Sequence, residues 1–260
     1  DSATLRENVV ALARNIGYLP RSRKASRTTV NFFVDISSVS PTPANLTLKA
    51  GPVASTGGSF NNQSFVFGIP EDITVSVVDG IASFDNIEIF EGSYLTQTYV
   101  YSSRNPFQKF ILPNIGIDLD SLVVSVRPSA QSSVTTKYSR QDELFDSVTK
   151  STINKNSNIY FIQEVEGEQY EVIFGDGVFG KALEDGNVVD MSYIVSSGSD
   201  GNGVNSFSFS GSISYVRNSV QISVTSGISL ITPNLPSSGG ESIESVESIR
   251  RFAPQIYATQ

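Results

Sequence analysis

The sequence contains no cysteine, no histidine and no tryptophan, and these absences narrow its chemistry more than anything it contains. Without Cys there is no disulfide framework, no thiolate metal site and no thiol nucleophile. Without His, the commonest general base and metal ligand is gone, and the Ser-His-Asp triad with it. Without Trp, the best platform for stacking on sugars or cations is missing. Carboxylate chemistry, lysine nucleophiles and oxygen-ligand Ca²⁺ or Mg²⁺ sites remain. No run approaches the roughly 18 apolar residues of a membrane span, and Leu5–Ile16 is broken by Arg6, Glu7, Asn8 and Arg14, unlike a signal peptide. No membrane association is expected. The chain opens on Asp1 rather than Met and is read as a fragment.

What is present points to a folded, β-rich chain. Its 260 residues are 39% hydrophobic and 17% charged, too apolar and too weakly charged for disorder and long enough for two cores. Charge is unevenly spread. Asp1–Arg27 carries six basic residues against Asp1 and Glu7, a net +4 on a chain of net −8, which suggests an N-terminal segment that meets an acidic surface. Arg21–Arg27 is short and has no interleaved aromatics, so nucleic acid is not an expected partner.

Leu5, Val9, Leu12, Ala13 and Ile16 fall on one stripe of a helix. Thr4 and Glu7 have capping-box spacing, Gly17 supplies a C-terminal cap, and Pro20 prevents continuation. From Thr29 the period becomes two. The expected strands are Thr29–Ile36, Leu46–Lys49, Ser64–Phe67, Ile73–Val78, Ile81–Phe84, Glu88–Phe90 and Tyr94–Tyr101. Asp79-Gly80 marks a two-residue hairpin. A second set follows at Leu122–Arg127, Ile159–Gln163, Tyr170–Phe174, Val188–Val195, Ser206–Ser214 and Gln221–Val224, with a helical turn around Leu144-Phe145. A last helix is expected over Glu241–Phe252, ended by Pro254. The fold class is thus mainly β (α+β): two β-rich units with an amphipathic helix at each end. The divisions are 1–27 (helix and basic hinge), 28–110 (first β unit), 111–235 (second β unit) and 236–260 (linker and helix).

Gly175-Asp176-Gly177-Val178-Phe179-Gly180 matches G-x-G-x-x-G after a strand. A dinucleotide site needs a helix N-terminus facing the pyrophosphate, inside a βαβ crossover. Here a new strand begins at Val188, so the connection reads as β–turn–β. Gly175, Asp176, Gly177 and Gly180 are then structural turn residues. Gly201, Asn202 and Gly203, in the Ser199–Gly203 run, read the same way; a Ca²⁺ loop would need a twelfth-position Glu that Gly211 does not supply. Glu171, Asp176 and Asp185 are the carboxylates available for glycoside hydrolysis. No catalytic signature surrounds them. No enzymatic activity, cofactor or metal is expected. The sequons at Asn45 and Asn62 are assigned no role.

Three ordered blocks resemble the T4-type baseplate wedge proteins and their baseplate J-like relatives in contractile phage tails. They are Ala3–Arg6 through Asn15–Pro20, Tyr170–Gly180 followed by Tyr193 and Ser197–Gly203, and Gly239–Glu241 with Glu244–Arg250 and Ala253-Pro254. Pro41–Asn114 carries little of this signature, and the family's long flanking segments are missing. The resemblance implies a structural virion protein of the tail baseplate, assembled in the host cytoplasm. Its partners would be other wedge proteins and a second copy of itself, joined in a ring around the hub. Leu5, Val9, Leu12, Ala13 and Ile16 would become a helix-bundle seam between subunits. Val9→Asp is then expected to leave the β body folded and block assembly. The alternative is a carbohydrate- or receptor-binding β module of a tail fibre, with Tyr94, Tyr99 and Tyr101 as its contact aromatics.

Overall fold

The structure, a computed structural model, describes residues 5–56, 60, 63–105, 107–141 and 153–257. The chain is mainly β, with one helix near each end: α1 (Arg6–Asn15) and α2 (Val246–Tyr257). Between them run β1 (Arg27–Asp35), β2 (Asn45–Leu48), β3 (Gly51–Ser55), β4 (Val66–Ile69), β5 (Ile73–Val78) and β6 (Ile81–Glu91). Next come β7 (Ser93–Val100), β8 (Phe110–Leu112), β9 (Ile117–Arg127), β10 (Thr136–Arg140), β11 (Ile159–Val165), β12 (Gln169–Phe174) and β13 (Val188–Val195). The last strands are β14 (Ser208–Phe209), β15 (Ile213–Arg217), β16 (Val220–Val224) and β17 (Thr232–Pro233).

Sheet membership is nested rather than sequential. β1–β6 and β14–β17 form one ten-stranded sheet, and β7–β13 form a second of seven strands in the order β7-β13-β9-β10-β11-β12-β8. In the first, β6 carries β1 along one side and β4 and β5 on the other, with β5 leading on to β2, β15 and β16. These strands enclose a core built from residues such as Val30, Phe32, Leu46, Phe67, Phe84 and Ile213. Phe32 stacks on Phe84 with ring centroids 4.8 Å apart. The second sheet curls so that its edges face each other. Tyr99 of β7 donates to the Ile111 carbonyl of β8 at 2.7 Å, and its ring meets Phe110 edge-on at 5.6 Å. The result is an open barrel around Leu112, Leu119, Tyr170, Met191 and Tyr193.

The expected division at 110/111 is therefore corrected. The chain leaves the first sheet at Gly92, builds the barrel and returns, because Ser93 pairs with Val195 and places entry beside exit. Gly92 sits at φ +133°, and a Cβ there would strike Ile194 at 2.7 Å. Only glycine suits that approach. Ala25, Phe90 and Ile194 pack where the two sheets meet.

Both helices depart in detail from expectation. Thr4 lies outside the described residues, and Leu5 at the N-cap makes no side-chain cap bond. At the other end Gly17 is at φ +78°, with its N–H on Arg14 O at 2.9 Å and the Tyr18 N–H on Ala13 O at 3.0 Å, the expected glycine cap. α2 starts five residues later than expected from Glu241. Glu241 instead exchanges backbone hydrogen bonds of 3.0 Å with Lys24, and Ser245 Oγ caps the Ser248 N–H at 3.2 Å. Pro254 lies inside α2 rather than ending it. The expected turn at Leu144-Phe145 lies outside the described residues.

Candidate subunit interface

α1 has two working sides. Val9, Val10 and Ala13 are buried against Ile249 and Ala253 of α2, with Ile16 and Tyr18 at the margin. Leu5 and Leu12, seven residues apart and so on one face, are 63% and 60% exposed. Phe252 of α2 is 44% exposed. The expected five-residue seam is thus corrected: Val9 and Ala13 are occupied within the chain, and Leu5 and Leu12 keep an outward apolar face. The sequence pattern contains both sides, and a stripe of period 3.6 does not say which neighbour covers which edge.

The helix is pinned to the barrel by charge. Arg6 donates through Nε and Nη2 to both oxygens of Glu164 on β11, at 2.8 and 3.0 Å. The side chains are 15% and 2% exposed. Arg6 also donates to the Glu244 carbonyl. Burial raises the Glu164 carboxyl above its ordinary range, opposed by the Arg6 guanidinium. Glu244 faces the opposite outcome. Burial pushes it up, but hydrogen bonds from Ser248 Oγ, the Arg21 N–H and Tyr18 OH hold it below the usual value. The same contact, behind burial, helps push Tyr18 up to about 12. The basic hinge meets acids of its own chain: Arg21 pairs with Glu241, Lys24 with Asp120 at 3.6 Å and Arg27 with Glu88 at 3.7 Å.

The first glycine motif lies in a turn, and the second run opens with a short 3₁₀ helix over Gly198–Gly201. No helix follows Gly180 before β13. Asp176 Oδ1 accepts from the N–H groups of Val178 and Phe179 at 2.8 and 2.9 Å, which holds its carboxyl below the ordinary range. Gly177 and Gly180 have φ of +86° and +85°. A Cβ on Gly180 would lie 2.7 Å from Ile159, and one on Gly175 would collide with the backbone of Gly180. In the second run, Gly203 is at φ +91° and Gly201 packs on Glu91. Asn202 acts as a two-way clamp on Gly240, accepting its N–H at 2.9 Å and donating to its carbonyl at 3.1 Å.

The rival sites are less assembled. Tyr99 and Tyr101 pack on Phe110 in the barrel, and Tyr94 OH donates to Ser192 at 3.0 Å. Glu171 accepts from Gln163 at 2.7 Å, and Asp185 from the Ser103 N–H at 2.7 Å. Among the described residues, no group of three or more Asp and Glu is arranged to hold a metal ion, and no helix is long and apolar enough to cross a membrane. No protein-family model matches the chain, and no curated protein matches it. The Arg6–Glu164 pair and the Asn202–Gly240 clamp were not legible in the sequence. Their partners are 158 and 38 residues apart, beyond any local pattern.

Proposed function

We propose that this chain is a non-enzymatic structural subunit of a contractile-tail baseplate wedge, which assembles through its N-terminal helix with other wedge proteins and a second copy of itself. The observation that carries the reading is the divided helix. One side of α1 is held by α2 and by the Arg6–Glu164 pair, while Leu5 and Leu12 stand outward on the rigid mount so formed. Fully burying such a side chain stabilises by roughly 1.5–3 kcal/mol. Each leucine is already partly covered, so a partner helix would gain about 1–2 kcal/mol from each. The three ordered sequence blocks supply the class of assembly, and the locally bonded carboxylates and turn-forming glycines suit a scaffold part.

The test is co-expression of the chain with the products of adjacent tail genes, followed by electron microscopy of the purified particles. Rings or wedges containing the chain are expected, and their loss in Leu5→Asp/Leu12→Asp with unchanged circular dichroism. A chain that stays solitary beside every neighbour, or a double variant that assembles normally, overturns the reading.

A further inference from the structure

The sheet margins among the described residues differ in how they are closed. β14 and β17 are two residues long, and β17 contains Pro233. β7 and β8 face one another and are bridged by Tyr99 and by Gln108, which donates to the Val100 carbonyl at 2.8 Å. β16 is different. Its sequence, Val220-Gln221-Ile222-Ser223-Val224, has no charge and no proline, the devices that usually guard an edge. It pairs with β15 on one side and ends the strand order.

The turn fixes which groups this edge offers. Asn218 and Ser219 have φ of +50° and +63°, a two-residue turn of the mirror-image type. The residues flanking such a turn form a hydrogen-bonded pair, and such pairs alternate along the ladder. Val220, Ile222 and Val224 therefore spend their backbone groups on Arg217, Tyr215 and Ile213. Gln221 and Ser223 point their N–H and C=O groups outward. On the side-chain level, Ile222 and Val224 lie half-buried at the margin of the first core, and Val220 is 60% exposed.

We propose that β16 pairs antiparallel with β16 of a second copy of this chain, about a two-fold axis through Ile222. That register sets Gln221 opposite Ser223 of the partner subunit, the two positions with free backbone groups, and forms four hydrogen bonds between chains. Val220 meets Val224 of the partner subunit and Ile222 meets its own equivalent, so the unfinished apolar margin is covered on both sides. An isologous contact needs a surface that is its own complement, and this five-residue strand is one. A heterologous strand would find no charge here to select it. The ladder is smaller than a standard interface of about 800 Å² per partner, so pairing depends on concentration. This surface is separate from Leu5 and Leu12, and the inference does not require the baseplate reading.

The absence of native cysteine gives a clean test on the full chain. At a non-hydrogen-bonded antiparallel pair the Cα atoms are about 4.5 Å apart, within disulfide reach. Ile222→Cys is expected to give a covalent dimer on mild oxidation. In Val220→Cys the two thiols would be about 14 Å apart along the strands, and at least tenfold less dimer is expected. Gln221→Pro removes an outward N–H and leaves the backbone ladder to β15 in place, at the loss of the Gln221 side-chain bond to Ser214 Oγ, and added to Ile222→Cys it abolishes the cross-link. If Ile222→Cys weakens the fold, Val220→Cys/Val224→Cys tests the same register at its two ends. Equal cross-linking of Ile222→Cys and Val220→Cys, or a cross-link that survives Gln221→Pro, overturns the proposal. So does the absence of covalent dimer from both the Ile222→Cys and the Val220→Cys/Val224→Cys chains.

Discussion

Replacing Arg6 with Ala removes the cation from a pair whose carboxylate is 2% exposed. Breaking a buried pair by deleting one partner costs about 3–5 kcal/mol, because a charge is left without compensation. Glu164 has an escape, which is to bind a proton. From an ordinary value of 4.5, protonation at pH 7 costs about 3.4 kcal/mol, at 1.36 kcal/mol per unit. The penalty from Glu164 in Arg6→Ala is therefore capped near that figure at pH 7, to which lost packing of the arginine stem and its bond to the Glu244 carbonyl add a part that does not depend on pH. The Glu164 penalty shrinks by about 1.4 kcal/mol for each pH unit lowered, to below about 1 kcal/mol at pH 5. The sign follows from the direction of the shift. A carboxyl whose folded value lies above its unfolded one binds more protons when folded, so its contribution is complete below 4.5 and is lost as pH rises through the folded value. Urea unfolding followed by far-ultraviolet circular dichroism at pH 5, 6 and 7 measures this. Adding Glu164→Gln to the Arg6→Ala chain should flatten the slope. A deficit that is the same at pH 5 and pH 7, or larger at pH 5, would refute the reasoning.

Three further outcomes follow from the geometry. Val9→Asp buries a charge between α1 and α2 and is expected to lower stability by at least about 3 kcal/mol, whereas Leu12→Asp stays within about 0.5 kcal/mol; chemical denaturation of the two separates the inner from the outer side of α1. Gly180→Ala and Gly186→Ala share a similar positive φ, but only the first meets Ile159. The second should cost about 1 kcal/mol and the first at least twice that, and equal losses would remove the packing claim. Asn202→Ala leaves the buried N–H and carbonyl of Gly240 without their clamp and should cost about 2–3 kcal/mol in thermal unfolding, with Asn202→Asp recovering only the part owed to the N–H.

The legible parts of this fold are those decided within a few residues. Asp79 and Gly80, at φ of +50° and +80°, form the expected hairpin turn between β5 and β6. Gly17 caps α1, and the 175–180 run turns because glycine and aspartate there satisfy local backbone demands. What the sequence hides is closure over distance. β3 carries Pro52, and β8 has only three residues, between Lys109 and Pro113, so neither has the alternation that marks a strand. Nesting is equally silent, since the strands of the barrel and those of the first sheet are both rich in β-branched and aromatic residues, and nothing local marks which sheet a strand joins. For the interface, the stripe on α1 was visible, but its division between α2 and solvent depended on a helix about 240 residues away along the chain. Pro254 misled because a proline removes a single intrahelical bond, here to the Arg250 carbonyl, and α2 runs on to Tyr257 beyond it.

Entry and exit of the barrel are neighbours in one antiparallel ladder, with Ser93 opposite Val195. That makes residues 93–195 a cassette: a different β module with adjacent termini could occupy the same socket without rerouting the host sheet. The exchange would carry conditions. Any replacement must also offer acids where Glu164 and Asp120 stand, or Lys24 would lose its pair and Arg6 would keep only the Glu244 carbonyl, leaving the first helix to its packing on α2.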